Sequence, residues 1–139
     1  ARVHKSIKRE YAYVFAEFKY PGIPEMNLHS IAENLFHINT MEIQPIRLMH
    51  HKLPILGFRI KDFAYLTDLK TISDKEIKKL KNLDILVLNA IRIEPHFSHL
   101  NLQEALTLIR KINPKIKFHL DSELYLRPEN NVNIIASRA

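Results

Sequence analysis

From residue 84 onward the chain reads as strand, loop, helix, strand, a succession that leaves little choice of topology. "DILVLNA" (84–90) is a continuous apolar run, the pattern of a buried central strand. "LNLQEALTLIRKI" (100–112) is an amphipathic helix, with Asn101 as its N-cap and Leu102, Ala105, Leu106 and Ile109 as its apolar stripe. "KIKFHL" (115–120) is the next strand, and "NVNII" (131–135) reads as a short last one. A strand–helix–strand unit predicts a parallel pair with a right-handed crossover.

The preceding half has a different grammar. "LFHI" (35–38) and "MEIQPIRLM" (41–49) read as strands joined at Asn39-Thr40, and Pro45 marks the second as an edge or a bulge. "ILGFRI" (55–60) and "FAYLT" (63–67) form a hairpin around Lys61-Asp62, where Asp62 is simply the turn residue. "SDKE" is a capping box, with Ser73 at the N-cap and Glu76 three residues on. "HKSIKREYAYVFAEF" (4–18) has helical spacing in Ile7, Tyr11, Val14 and Phe15, and the Pro- and Gly-containing stretch 19–31 reads as loop. The fold class expected is α/β, a mixed β-sheet with flanking helices on one face.

Composition narrows the function. No apolar run approaches a membrane span, no signal peptide opens the chain, and there is no cysteine, so disulfides and thiolate metal sites are excluded. A cytoplasmic protein without a membrane partner is expected. Only two glycines occur, Gly22 and Gly57, which rules out a glycine-rich phosphate loop. The net charge of +6 suits anionic partners such as phosphate esters or nucleic acid. The lysines of "DKEIKKLKN" read as a solvated helix face, and the Tyr and Phe residues sit in apolar strand and helix patterns, which argues against a base-stacking platform.

Eight histidines remain, and several stand where strands end. His50 and His51 follow "IQPIRLM", Asp68 closes "FAYLT", and His96 and His99 follow "DILVLNA". The carboxyl edge of an α/β sheet is where ligands bind. Imidazole and carboxylate there suit a divalent metal centre. His29 and His37 carry no assigned role.

"MHHKLPILGFRI", "FAYLTD" and "LDILVLNAIRIEPHFSHLNLQEAL", in that order, resemble the second half of a metallo-β-lactamase-fold hydrolase. The phosphodiesterase branch that includes the cyclic-phosphate phosphodiesterase of phosphonate breakdown is the nearest in pattern, with ribonuclease Z enzymes more distant. The resemblance implies half of an αβ/βα sandwich and two divalent metal ions, zinc or manganese. It implies that His50 is a metal ligand, with His51 as the fallback. It makes Asp68 the metal-bridging carboxylate. It makes His99 the histidine that meets the substrate phosphate and protonates the leaving oxygen, with His96 in the same substrate pocket. The family's first metal motif, H-x-H-x-D-H, is not in the chain, and where its last ligand falls the text is "FHLDSELYLRPENN", with His119 two positions early and Asp121 in the histidine's place. Residues 1–139 are therefore expected to be a single unit, the carboxy-terminal portion of a larger metallo-hydrolase domain, inactive alone. The apolar faces of "MEIQPIRLM" and "FAYLT" are then expected to lack partners, which predicts a homo-oligomer. The function expected is metal-dependent hydrolysis of a small phosphodiester substrate. The alternatives are a basic α/β module that binds nucleic acid or protein without catalysis, and a degenerate inactive homologue.

Overall fold

The computed structural model describes residues 2–90, 92–121 and 132–136, with the backbone alone from Ile116 onward. The chain divides into two compact units, Ala1–Ala32 and Glu33–Ala139. The first holds helix α1, Arg2–Glu10, which tightens into a 3-10 turn at Ala12–Phe15. Tyr11 N–H donates to the Ile7 carbonyl (2.9 Å), but Val14 N–H reaches back only three residues, to Tyr11 (2.9 Å). The helix expected over 4–18 therefore stops early. "YAYVF" is aromatic and β-branched, a composition of modest helix propensity that settles for the tighter turn.

The second unit is a seven-stranded sheet in sequence order. Its strands are β1 (Phe36–Ile38), β2 (Met41–His50), β3 (Leu53–Ile60), β4 (Phe63–Leu66), β5 (Ile85–Asn89), β6 (Ile116–Asp121) and β7 (Val132–Ala136). Strands β1 to β4 form an antiparallel meander. From β4 to β7 every pairing is parallel. Two short helices make the first two parallel steps feasible, α2 (Asp74–Lys78) between β4 and β5, and α3 (Leu102–Ile112) between β5 and β6. The sequence revealed the second of these crossovers and not the first, because α2 is only five residues long.

One core lies between the sheet and the helices. Ile46, Leu48, Ala64, Leu66, Leu86 and Leu88 face Ile77, Leu80, Ala105, Leu108, Ile109 and Ile112. The buried stripe of α3 is thus Ala105, Leu108, Ile109 and Ile112, while Leu102 and Leu106 are half-buried. Both stripes satisfy the helical period, and the sheet selects the one that adds Leu108 and Ile112. A Cβ at Gly57 would come within 2.5 Å of Leu66 Cδ2 and 3.0 Å of the Tyr65 carbonyl, so the leucines fill the space that the glycine leaves. The strands β2 and β4 are better covered than expected. Of their large apolar residues, Met41 and Tyr65 remain exposed.

Strand β1 pairs with β2 only through Ile43, so the outer edge of β2 runs on alone. Pro45 offers no N–H there. Arg47 N–H donates to Glu76 Oε2 (2.8 Å), and Met49 N–H donates to the Thr71 carbonyl (2.9 Å). Glu76 is 5% exposed and also accepts from Lys79 Nζ (2.8 Å). The expected capping box is therefore half made. Ser73 Oγ accepts from Glu76 N–H (3.4 Å), but the Glu76 carboxylate serves β2 instead of returning to Ser73. Burial pushes this carboxyl up, yet the bonds from Lys79 and Arg47 outweigh it and hold it below its ordinary value. On α3 the box is complete, between Asn101 and Glu104.

Glu76→Ala leaves Arg47 N–H without its acceptor and the Lys79 ammonium with only the longer contact to the Pro45 carbonyl (3.5 Å), and should destabilise the fold by about 1–3 kcal/mol in denaturant titration. Glu76→Gln keeps an acceptor and should cost less. Equal stability of all three proteins would show that the carboxylate does not hold this edge.

Candidate metal centre

His50 ends β2, Asp68 lies just past β4, and His99 sits in the loop between β5 and α3. Strands β2, β4 and β5 run in the same direction, so all three residues come to the same edge of the sheet. Their ligand atoms all lie within 4.8 Å of one another. The His50 and His99 rings are 4.5 Å apart, and His99 Nδ1 is 3.8 Å from Asp68 Oδ1.

Each side chain is aimed by something specific. Asp68 adopts a left-handed backbone (φ 54°), a conformation that aspartate tolerates better than most residues. That twist presents the Asp68 carbonyl to His50 Nδ1 at 3.0 Å. His50 must carry its proton on Nδ1 to make this bond, which leaves the Nε2 lone pair free as a ligand. Asn89, at the end of β5 and 6% exposed, acts next. Its Oδ1 accepts from Leu69 N–H (3.3 Å), which turns its Nδ2 toward His99 Nδ1 (3.4 Å). His99 Nδ1 is then an acceptor, and its neutral ring carries the proton on Nε2. Burial, followed by the neighbouring His50, pulls the His99 pKa below its ordinary value, against the opposing pull of Asp68.

The donor set fits a divalent cation. His50 presents an oriented lone pair, and the Asp68 carboxylate is largely exposed, with Oδ1 3.8 Å from His99 Nδ1. His51 is not among the three residues brought together; its ring lies 5.6 Å from that of Phe97. His96 stacks on His99 at 5.3 Å and is fixed by Ser98, whose N–H and Oγ lie 3.3 and 3.1 Å from its Nδ1. It borders the cluster without joining the three. His119 and Asp121 fall on β6, where side chains lie outside the described residues. Asp62 is a turn residue, with its carbonyl accepting from Asp84 and Ile85 N–H.

Sequence reasoning missed Asn89 and Phe97. Asn89 looked like the end of an apolar strand, yet a polar amide closing such a run is itself a signal, since a buried amide must be hydrogen-bonded. Phe97 was grouped with core aromatics, although it stands on a loop between two histidines and is 69% exposed.

The family model described as the beta-lactamase superfamily domain matches residues 1–120. The chain belongs to this family. A diphosphatase from the PhnP family superposes with a TM-score of 0.80 at 23% identity, covering 95% of this chain and 52% of that one. The metallo-beta-lactamase fold protein YhfI of Bacillus subtilis gives 0.59 at 14% identity, covering 87% and 56%. These likenesses establish a metallo-beta-lactamase fold. A curated relative from Porphyromonas gingivalis (strain ATCC BAA-308 / W83), named octanoyltransferase, is 36% identical over 129 residues, which are 90% of this chain but 26% of that protein. The beta-lactamase-superfamily chain thus spans 26% of the curated relative and 52% and 56% of the two solved structures. Among the described residues no helix is long and apolar enough to cross a membrane.

The lowered His99 pKa has a measurable consequence for the metal-free protein. The unfolded chain takes up a proton near pH 6.5 that folded His99 resists. The stabilisation from this residue is therefore complete above that pH and is lost as pH falls through the lower folded value. In chelator, His99→Gln should reduce the drop in melting temperature between about pH 7.5 and about pH 5.5. An unchanged drop would mean that His99 titrates as it does in the unfolded chain.

Proposed function

We propose that this chain carries the proton donor and part of the metal site of a metal-dependent hydrolase that cleaves phosphodiester bonds. The observation that carries the reading is the gathering of two differently held imidazoles and an exposed carboxylate at one sheet edge, His50 Nδ1 against the Asp68 carbonyl and His99 Nδ1 against the Asn89 amide. His50 and Asp68 would hold a divalent cation, zinc or manganese, through an imidazole nitrogen and a carboxylate. When bound, such ions supply Lewis-acid polarisation of a phosphoryl oxygen and neutralise its charge.

The chain's own residues do the rest. His99 offers Nε2–H to the phosphate as a hydrogen bond, with Asn89 at the opposite nitrogen; to protonate the leaving oxygen it must first take up a second proton, so that it leaves that step as the neutral imidazole. The Asp68 carbonyl orients His50. His96, stacked on His99, closes one side of the pocket. A diphosphatase among the structural neighbours supports phosphorus chemistry on this fold.

The name of the Porphyromonas gingivalis relative raises octanoyl transfer as a second reading, favoured by its 36% identity. The matched segment is 26% of that protein, so its name describes a much longer polypeptide, whereas the cluster of His50, Asp68 and His99 lies in the segment itself. The site chemistry therefore favours hydrolysis.

The test uses the whole protein with bis(p-nitrophenyl) phosphate and p-nitrophenyl octanoate side by side, with metal content measured in each variant. Asp68→Asn keeps the left-handed turn but removes the charge, and should lose both metal and phosphodiester hydrolysis. His99→Ala should retain metal and lower turnover by about 10²–10⁴-fold, as expected for loss of a general acid. Loss of metal in His99→Ala would make His99 a ligand. Turnover of the octanoate ester alone would replace the phosphodiester reading with the acyl one.

A further inference from the structure

Five aromatic rings run in contact away from the candidate centre. His50 touches His99 (4.5 Å between ring centres), His99 stacks on His96 (5.3 Å), His96 lies beside Phe97 (4.6 Å), and Phe97 meets His51 (5.6 Å). These are the separations of interacting aromatic pairs. The last large member, Phe97, is 69% exposed. An isolated exposed apolar side chain is ordinary on a protein surface. This one is continuous with a polar, charged site and is held in place.

The holding is explicit. The loop that carries Phe97 is closed at its base by Leu102 N–H to the Arg92 carbonyl (3.0 Å), and is pinned to the Asp68 turn by Leu100 N–H to the Leu69 carbonyl (2.9 Å). Ser98 and Leu100 are buried on either side of His99. With those neighbours facing inward, Phe97 is committed to solvent. His96, braced by Ser98, lies against the ring at an interplanar angle of 36°, and His51 meets it at 87°. His51 opens the two-residue turn between β2 and β3, whose hairpin geometry calls for its left-handed backbone (φ 53°).

We propose that Phe97, braced by His51 and His96, is the stacking face for the nucleobase of a nucleotide phosphodiester whose phosphate lies at His99. The proposal rests on the phosphodiester reading and names the substrate class of the same site. The steps of 5.3 and 4.6 Å through His96 keep Phe97 within about 10 Å of His99, a separation that a ribose can span alongside the His96 ring. A flat apolar ring favours any planar aromatic group over an aliphatic one and does not discriminate among bases, because every base has a π-face. Arg92, on the loop that carries Phe97, is close enough to act on His99, a charge that suits the single phosphate of a small nucleotide.

Calorimetric titration in manganese-containing buffer with adenosine 5′-monophosphate, ribose 5-phosphate and adenosine tests this. The monophosphate should bind the wild-type protein about 5- to 150-fold more tightly than ribose 5-phosphate, the range for one base stacked on one aromatic side chain. Phe97→Ala should bring the monophosphate down to the level of ribose 5-phosphate without weakening the latter, and Phe97→Trp should restore the difference. Equal binding of the two phosphates to the wild type overturns the platform and leaves the phosphodiester reading standing. Equal loss of both in Phe97→Ala makes Phe97 a structural residue and overturns it too. Binding of adenosine that depends on Phe97, with no added affinity from phosphate, keeps the platform and overturns the phosphodiester reading.

Discussion

The site depends on one buried amide. Asn89 closes β5 at the point where the loop bearing His99 leaves the sheet and the turn bearing Asp68 passes beside it. A buried amide must find partners for both ends, and only one orientation satisfies Leu69 N–H. The other end then meets His99 by necessity. A backbone requirement in one loop thereby sets the proton position in another, and the sheet register of β4 with β5 delivers both to within hydrogen-bond reach.

The second fixed point is the left-handed turn at Asp68. Its carbonyl and carboxylate serve different histidines, the first orienting His50 and the second lying near His99. Two imidazoles 4.5 Å apart would otherwise be interchangeable. Here they are chemically distinct, one with its proton directed inward and the other with its proton directed out. Membership in the beta-lactamase superfamily domain family agrees with a metal at such an edge, and the donor geometry of the chain supports that independently.

Much of this was legible in the sequence. The apolar runs of 84–90 and 41–49, the Lys61-Asp62 turn and the Asn101 cap announce the strands and helix that are present, because each signal is local. His50, Asp68 and His99 could be grouped because each follows an apolar strand. What stayed hidden depends on tertiary choice. Period alone cannot decide which of two overlapping stripes on α3 is buried, nor show that Glu76 would leave its own helix cap to serve a strand 29 residues away. The extra parallel crossover through α2 was invisible because five residues carry too little periodicity. Phe97 was misread because residue type suggested core, whereas the bonds that pin its loop leave it no inward path.

The covered edge of β2 has a consequence beyond stability. Past Ile43 this strand has no strand neighbour on its outer side among the described residues, and a row of open amides there would be a template for a foreign strand. Pro45, the Glu76 carboxylate and the Thr71 bridge remove three successive docking points, leaving nothing in register for an incoming chain to zip onto. The residues that finish this strand thus also act as a guard against amyloid-like growth, in the strand whose last residue is His50.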